Sequence, residues 1–469
     1  MIYSILFFSY VCNMYFCVSN GFLFNFYSKY NRNKFMMSQE EINYWCPITS
    51  IDNLAENNFP YKIKISNQDY VIWKRNNDYV VQSNICSHRC APLSEGYIDK
   101  CSGNLRCSYH GWEFDVNGDV VDIPQEPELK KNMLLKNGFK KSRTSIKNYK
   151  TSVHGSILWA YLTNNESLVQ NLSIYPCDIF DVQDDNFLFV REVPYDYFIL
   201  LENLFDPAHV PFAHHKLQSS REEAGQILIN NITYNDNKLS IMFQDANNTL
   251  VPRKGIMNFL FPYYYYLENI DFNTNIMKKL NVFCIPVCEG RSRVIIKYDF
   301  DKGHIGYSFI KYIPIWLRHL LTNTFLDSDA LILHEQEKYV RRSNSLDNYM
   351  SVFNLPSRSD KAIKKYHKFM QEKTGFKHKF SSENSSFYSQ ELTRKEILDR
   401  YYTHTKNCPQ CSDALKNCDF LQIIVPSLII GFNPTHNLGL TFFIAALHFK
   451  IINDFKSKFI FQDYIHKNL

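Results

Sequence analysis

No Asp or Glu precedes Glu40, and no Asp, Glu, Lys or Arg occurs from Phe420 to Phe449. Folded surfaces mix both signs of charge, so the first absence sets residues 1–38 apart from the fold. Ile2–Val18 is apolar, of signal h-region length, and Lys29, Arg32 and Lys34 follow it; residues 1–38 read as a targeting leader, signal plus transit-like. The second absence excludes a solvated surface for Phe420–Phe449. Pro426, Gly431, Asn433, Pro434 and Gly439 interrupt it, and each apolar half is shorter than the roughly twenty residues that span a bilayer. One broken span or a shallow hairpin is expected, with residues 419–469 as a membrane-associated tail and buried core as the alternative. Lys450, Lys456 and Lys458 could meet anionic lipid. A strong excess of one charge is also missing. The net charge of +5 is too small to argue for nucleic acid. A single Cys-x-x-Cys exists, Cys408–Cys411, which suggests a redox dithiol; half a zinc site is the rival, but no second Cys-x-x-Cys completes it. The chain has thirteen cysteines, and most of those outside candidate sites read as buried free thiols, a usage that argues against an oxidising extracellular home.

What the chain does have is Cys86-Ser87-His88 and, after eighteen intervening residues, Cys107-Ser108-Tyr109-His110-Gly111-Trp112. Two thiolates plus two imidazoles is the ligand set of a Rieske [2Fe–2S] centre. Zinc also takes two Cys and two His, but zinc fingers usually pair like with like, and here each half contributes one of each. The flanks, His88-Arg89 before Ala91-Pro92-Leu93 and Gly111-Trp112 after, resemble the Rieske domain of Rieske oxygenases. The respiratory type carries two further cysteines as a disulfide beside the cluster. Ala91 and Tyr109 stand at those positions, and Cys90 and Cys101 are out of register. Short β-like runs at Tyr61–Ile65, Tyr70–Lys74 and Tyr79–Ser83, with the hairpin signal Asn117-Gly118, make residues 41–164 an antiparallel β domain.

The second chemical stretch runs from Asn203 to His215 and reads Asn-x-x-Asp-x-x-His-x-x-x-x-His. Asn203, Asp206 and His209 would share one helical face, and Pro207 and Pro211 would bend the chain so that His214 reaches the same point. Two His with a distant carboxylate make the facial triad of a non-haem Fe(II) oxygenase. His215 could replace His214, although the five-residue step favours His214. For the carboxylate, Asp329 opens a helical pattern that continues to Gln336, with Asp327 as rival; a helix N-cap is the plain alternative for either. Residues 165–375 form the catalytic domain. Its β-rich stretch, roughly 187–312, precedes a long helix, an α+β order. The polar stretch 357–384 reads as solvated helix and linker. Residues 376–418 are a helical segment carrying Cys408 and Cys411, opened by the capping box Thr393–Glu396.

Together these pieces resemble the plastid Rieske monooxygenases of the pheophorbide a oxygenase group. The shared features are the two ligand loops, Asn-x-x-Asp-Pro-Ala-His-Val-Pro-x-Ala-His-His, and the Cys-x-x-Cys after a Tyr/His/Thr-rich run. Asn84 and Ser87 depart from the group's usual Asp and Pro, and neither is a ligand. The resemblance implies a helix-grip catalytic domain and a homotrimer. It implies oxygenation of a chlorophyll-type tetrapyrrole, pheophorbide a first, with O₂ and ferredoxin electrons. Cys86, His88, Cys107 and His110 would hold the cluster, and His209, His214 and Asp329 the mononuclear iron. Asp206 would bridge a neighbour's Rieske His to an iron-ligating His, and Asn203 belongs to the same site. Relatives acting on chlorophyllide, protochlorophyllide or later catabolites are alternatives, as is a redox-sensing subunit of an envelope complex. The leader resembles the bipartite leaders of complex plastids, which implies an inner envelope or thylakoid membrane.

Overall fold

In the computed structural model, the described residues are 44–55, 59–127, 144–163, 188–246, 252–270, 277–299, 312–342, 352–374, 391–432 and 437–468. The expected leader, Cys177 and residues 375–384 of the expected linker lie outside them.

The first domain is antiparallel. Strands β1 (Trp45–Ser50), β2 (Tyr61–Ile65), β3 (Gln68–Arg75) and β4 (Asp78–Ser83) are followed by a small sheet and then by a return pair. The small sheet contains β5 (Tyr97–Ile98), β6 (Leu105–Arg106), β7 (Glu113–Phe114) and β8 (Val120–Asp122), and the return pair is β9 (Asn148–His154) and β10 (Ile157–Tyr161). The larger sheet has the order β1-β10-β9-β4-β3-β2. The Asn117-Gly118 hairpin forms as expected between β7 and β8, and Gly118 sits at φ +84. A Cβ there would lie 2.2 Å from the Ile146 carbonyl oxygen, so only glycine fits.

The second domain is one seven-stranded antiparallel sheet, ordered β11-β17-β16-β15-β14-β13-β12. Its strands are β11 (Leu188–Val193), β12 (Ile227–Tyr234), β13 (Lys238–Asp245), β14 (Lys254–Leu260), β15 (Tyr264–Ile270), β16 (Met277–Cys288) and β17 (Arg291–Asp299). Its helices are α1 (Tyr197–Leu204), α2 (Val210–Ala213), α3 (Ile315–Arg342) and α4 (Lys361–Thr374). The sheet is a middle layer. Alternate residues of β17 point opposite ways: Val294 and Ile296 join a core with Ala330, Leu333 and Val340 of α3, while Ile295 joins the core of the first domain. With both faces covered, the middle of β17, Val294-Ile295-Ile296, is apolar on both sides, where a half-exposed strand would alternate. The Arg293 guanidinium, buried at the seam, pairs with Glu192 at 2.6 Å and reaches the carbonyls of Ile48 and Lys64 at 3.4 Å.

Two corrections concern helices. The expected solvated stretch contains α4, whose Ala362, Ile363, Tyr366, Phe369 and Met370 are buried against the sheet. The apolar tail is not limited to Phe420–Phe449. Helices α5 (Pro409–Phe432) and α6 (Leu438–Ile460) extend into the polar flanks at both ends, and each is long enough to cross a bilayer. Their outward side chains include Phe420, Ile423, Leu428, Phe442, Phe443 and Phe449, all exposed.

Candidate metal centres

The first ligand set stands on two loops of like construction. Cys86 donates its N–H to the Ala91 carbonyl at 2.8 Å, and Cys107 donates to that of Trp112 at 2.9 Å. The residue four places on returns its N–H to the cysteine carbonyl, from Cys90 and from Gly111, both at 2.9 Å. Those two residues take left-handed backbone, φ 59 at Cys90 and φ 74 at Gly111. Cys90, out of the disulfide register, thus serves as a turn residue. Cys86 and Cys107 are buried, whereas His88 is exposed and His110 half-buried. The two imidazoles meet edge to face with centroids 4.6 Å apart, and Trp112 stacks flat on His88 at 4.6 Å. Burial pushes the Cys86 thiol up to about 11, so a metal rather than solvent would hold it ionised. Sulfur inward and imidazole outward suits a cluster whose His-ligated iron must be reached by an electron donor. Asn84, one of the departures from the group pattern, fastens the first loop. Its amide donates to Ser94 Oγ at 3.0 Å and accepts the Ser94 N–H at 2.7 Å.

The second set converges on one point. α1 stops at Leu204, and the Asp206-Pro207 turn starts a new segment, so Asn203, Asp206 and His209 do not share one helical face as expected. Instead His209 caps the start of the single turn α2 and His214 caps its end. That turn sets their Nε2 atoms 3.3 Å apart. Asp329 Oδ2 lies 3.4 Å from His214 Nε2 and 3.9 Å from His209 Nε2. Their far nitrogens are fixed. His209 Nδ1 contacts the Asp206 main-chain carbonyl. His214 Nδ1 donates to Ser328 Oγ at 2.7 Å, because that hydroxyl's own proton goes to the Phe325 carbonyl at 2.6 Å. Both Nε2 lone pairs therefore face Asp329, the tautomer a metal requires. Burial holds both imidazoles low, His209 to about 4 and His214 to about 3, so both are neutral near pH 7. Burial pushes Asp329 up to about 8, opposed by a hydrogen bond from Asn203. A divalent cation would reverse that. These three residues can hold an iron with open positions.

The structure separates the rivals. His215 Nδ1 accepts the Arg221 N–H at 3.0 Å and takes no part. Neither aspartate is an N-cap, because α3 begins at Ile315 and both lie inside it. Asp327 is buried between Arg191 and Arg400, each at 2.7 Å. Asp206 uses its main-chain oxygen, not its carboxylate, on His209. The carboxylate accepts the Ala208 N–H at 2.8 Å through Oδ1, while Oδ2 stays 4.0 Å from His209 Nδ1. Cys408 and Cys411 are buried, unpaired thiols distant in sequence from both sets. Sequence reasoning missed Ser328, His319 and His404. Only His404 left a signal, four residues before Cys408 in the same run.

A cavity of about 540 Å³ adjoins the second set, and its wall includes His209, His214 and Asp329. Most of the wall is apolar, such as Phe243, Met257 and Val282, with Arg253, Lys279 and Arg318 as cations. A Rieske [2Fe–2S] domain is matched over residues 44–136, and the pheophorbide a oxygenase family over residues 265–346. The chain is a Rieske-type oxygenase that carries a pheophorbide a oxygenase domain. Protochlorophyllide-dependent translocon component 52, chloroplastic, of Arabidopsis thaliana is 29% identical over 81% of this oxygenase and 74% of that protein. Flavonoid 8-hydroxylase 2, chloroplastic, of Ocimum basilicum is 28% identical over 83% and 76%. Pheophorbide a oxygenase, chloroplastic, of Oryza sativa subsp. japonica is 26% identical over 91% and 85%. Among solved structures, dicamba monooxygenase bound to dicamba superposes with a TM-score of 0.55 at 15% identity, over 72% of this chain and 98% of that one. The oxygenase thus has the α+β fold of Rieske oxygenases; its Rieske domain takes a [2Fe–2S] cluster, and His209, His214 and Asp329 are placed to hold a metal ion.

Proposed function

We propose that this oxygenase oxygenates a chlorophyll-type tetrapyrrole, pheophorbide a first, in a plastid, using electrons from ferredoxin. The observation that carries the reading is the apolar cavity of about 540 Å³ against His209, His214 and Asp329, with cations in its wall. A flat apolar macrocycle bearing a carboxylate matches that lining. When bound, the cluster supplies single electrons and the iron activates O₂. Cys86, His88, Cys107 and His110 hold the cluster; His209, His214 and Asp329 hold the iron; the apolar wall excludes water. Turnover tests this. Iron-loaded protein with reduced ferredoxin and O₂ is offered pheophorbide a, chlorophyllide a, protochlorophyllide and a flavone, and products are read by mass. Oxygen gain on pheophorbide a is expected. Conversion of the flavone alone would move the enzyme to the reaction named for its basil relative. About two iron atoms per chain, instead of about three, would favour the redox-sensing reading.

Asp206 joins the two centres in this reading, with a homotrimer placing a neighbour's Rieske His beside it. Its main-chain oxygen holds His209, which leaves Oδ2 for a second imidazole. Asp206→Asn keeps the shape but loses the charge and half the acceptor capacity. Iron content and ferredoxin reduction of the cluster should stay normal, while single-turnover oxidation of the pre-reduced cluster slows at least tenfold. Oxidation at the wild-type rate would remove the bridge.

Residues 1–38 are proposed as the leader, and α5 with α6 as the membrane anchor. The exposed apolar side chains of this hairpin support the second assignment. A chain ended before Phe420 should leave the membrane fraction. Retention on membranes through an alkaline wash would assign the anchoring elsewhere.

A further inference from the structure

We propose that Cys408, Cys411, His319 and His404 form a closed structural zinc site, separate from both catalytic centres. All four are buried, and their ligating atoms lie within 4.8 Å of one another. Cys408 Sγ is 3.4 Å from His319 Nδ1, Cys411 Sγ is 3.5 Å from the same nitrogen, and His404 Nε2 is 3.3 Å from Cys411 Sγ. A tetrahedral ion with Zn–S near 2.3 Å and Zn–N near 2.0–2.1 Å sets its sulfur and nitrogen ligands about 3.5 Å apart. The observed edges have that length. A two-iron cluster puts its thiolates and imidazoles on different metals and needs a wider set.

The imidazoles are prepared as ligands. His319 Nε2–H donates to the Leu188 carbonyl at 3.1 Å, and His404 Nδ1–H donates to the Val190 carbonyl at 2.7 Å. Successive inward carbonyls of β11 thus fix both tautomers and turn both lone pairs toward the thiols, as outer partners of metal-bound His do. The surroundings are dry. Phe189 stacks on His404 at 4.4 Å and meets His319 edge-on at 5.2 Å. Leu320, Ala414 and Phe459 complete an apolar shell around the cysteines. Among the described residues no fifth His, Cys, Asp or Glu joins the set. Four protein ligands without an open position define a structural site, not a catalytic one.

The test uses the full-length chain without a polyhistidine tag, grown with iron and zinc supplied. Metal analysis should find about one zinc per chain beside the iron, and zinc-edge X-ray absorption two sulfur and two nitrogen neighbours at the distances above. Cys411→Ser and His404→Ala should lose at least nine-tenths of the zinc and keep the reduced Rieske signal. His319→Cys should retain it with three sulfur neighbours. Wild-type protein with a full Rieske signal and no zinc would overturn the site. So would zinc that survives Cys411→Ser, or a Cys408–Cys411 disulfide in the native protein. If the serine variant does not fold, the wild-type metal content and absorption spectrum decide alone.

Discussion

Asp329→Ala should abolish oxygenation and lose the mononuclear iron while the reduced Rieske signal stays at the wild-type level. The two centres share no ligand, so the effect should be confined to one. The substitution removes the one carboxylate within reach of both Nε2 atoms and leaves two neutral imidazoles, which bind ferrous iron weakly. The fold should hold. In the metal-free protein Asp329 is already driven toward its neutral form by burial, so deleting it removes no favourable charge. Iron per chain should fall from about three to about two, with turnover below one-thousandth of wild type. Asp329→Ala protein that retains activity would displace this residue from the site.

The neighbouring aspartate should behave in the opposite way. Asp327→Ala is expected to destabilise the whole chain by about 3–5 kcal/mol, because it strands two buried guanidiniums. Asp327 is about 1% exposed, and each carboxylate oxygen faces one arginine at 2.7 Å. Arg191 also reaches Asn323 at 3.0 Å, and Arg400 reaches the Lys458 carbonyl at 2.8 Å and Gln462 at 3.1 Å. One carboxylate therefore binds β11, α3 and the end of α6. Domains of ordinary stability hold only about 5–15 kcal/mol, so the variant should give little soluble protein. What does fold should still bind iron. Denaturant midpoints of wild type and Asp327→Ala, beside Asp329→Ala, measure the contrast. Equal midpoints would deny the network its structural role.

Much of this architecture was legible because the chemistry is dense in sequence. Cys86-x-His88 and Cys107-x-x-His110 each lie within one loop, and β2 was readable to its ends. The signal weakened where backbone direction changed. The three-residue spacing of Asn203, Asp206 and His209 suggested a continuous helix, but Phe205 ends that helix and Pro207 turns the chain. The pair of acids in α3 looked like a helix start because their partners lie far away. Arg191 and Arg400 approach Asp327 from opposite sides of the sequence, and no spacing rule connects them. His319 is hidden for the same reason: it meets Cys408 only after the sheet and α3 have packed. Local ligands were legible; buried charge pairing across distant segments was not.

The arginine network has a mechanical meaning. The segment of short turns that ends at Cys408 and the exit of α6 at Lys458–Gln462 both close onto α3, the helix that bears Asp329. His319 and Asp329 stand about 15 Å apart along it at 1.5 Å per residue. A hairpin clasped at both feet acts as a bracket and not as a leash. Were the hairpin to enter a membrane, as proposed, the bracket would hold the catalytic domain in one set orientation to that layer, where a flexible tether would let it tumble.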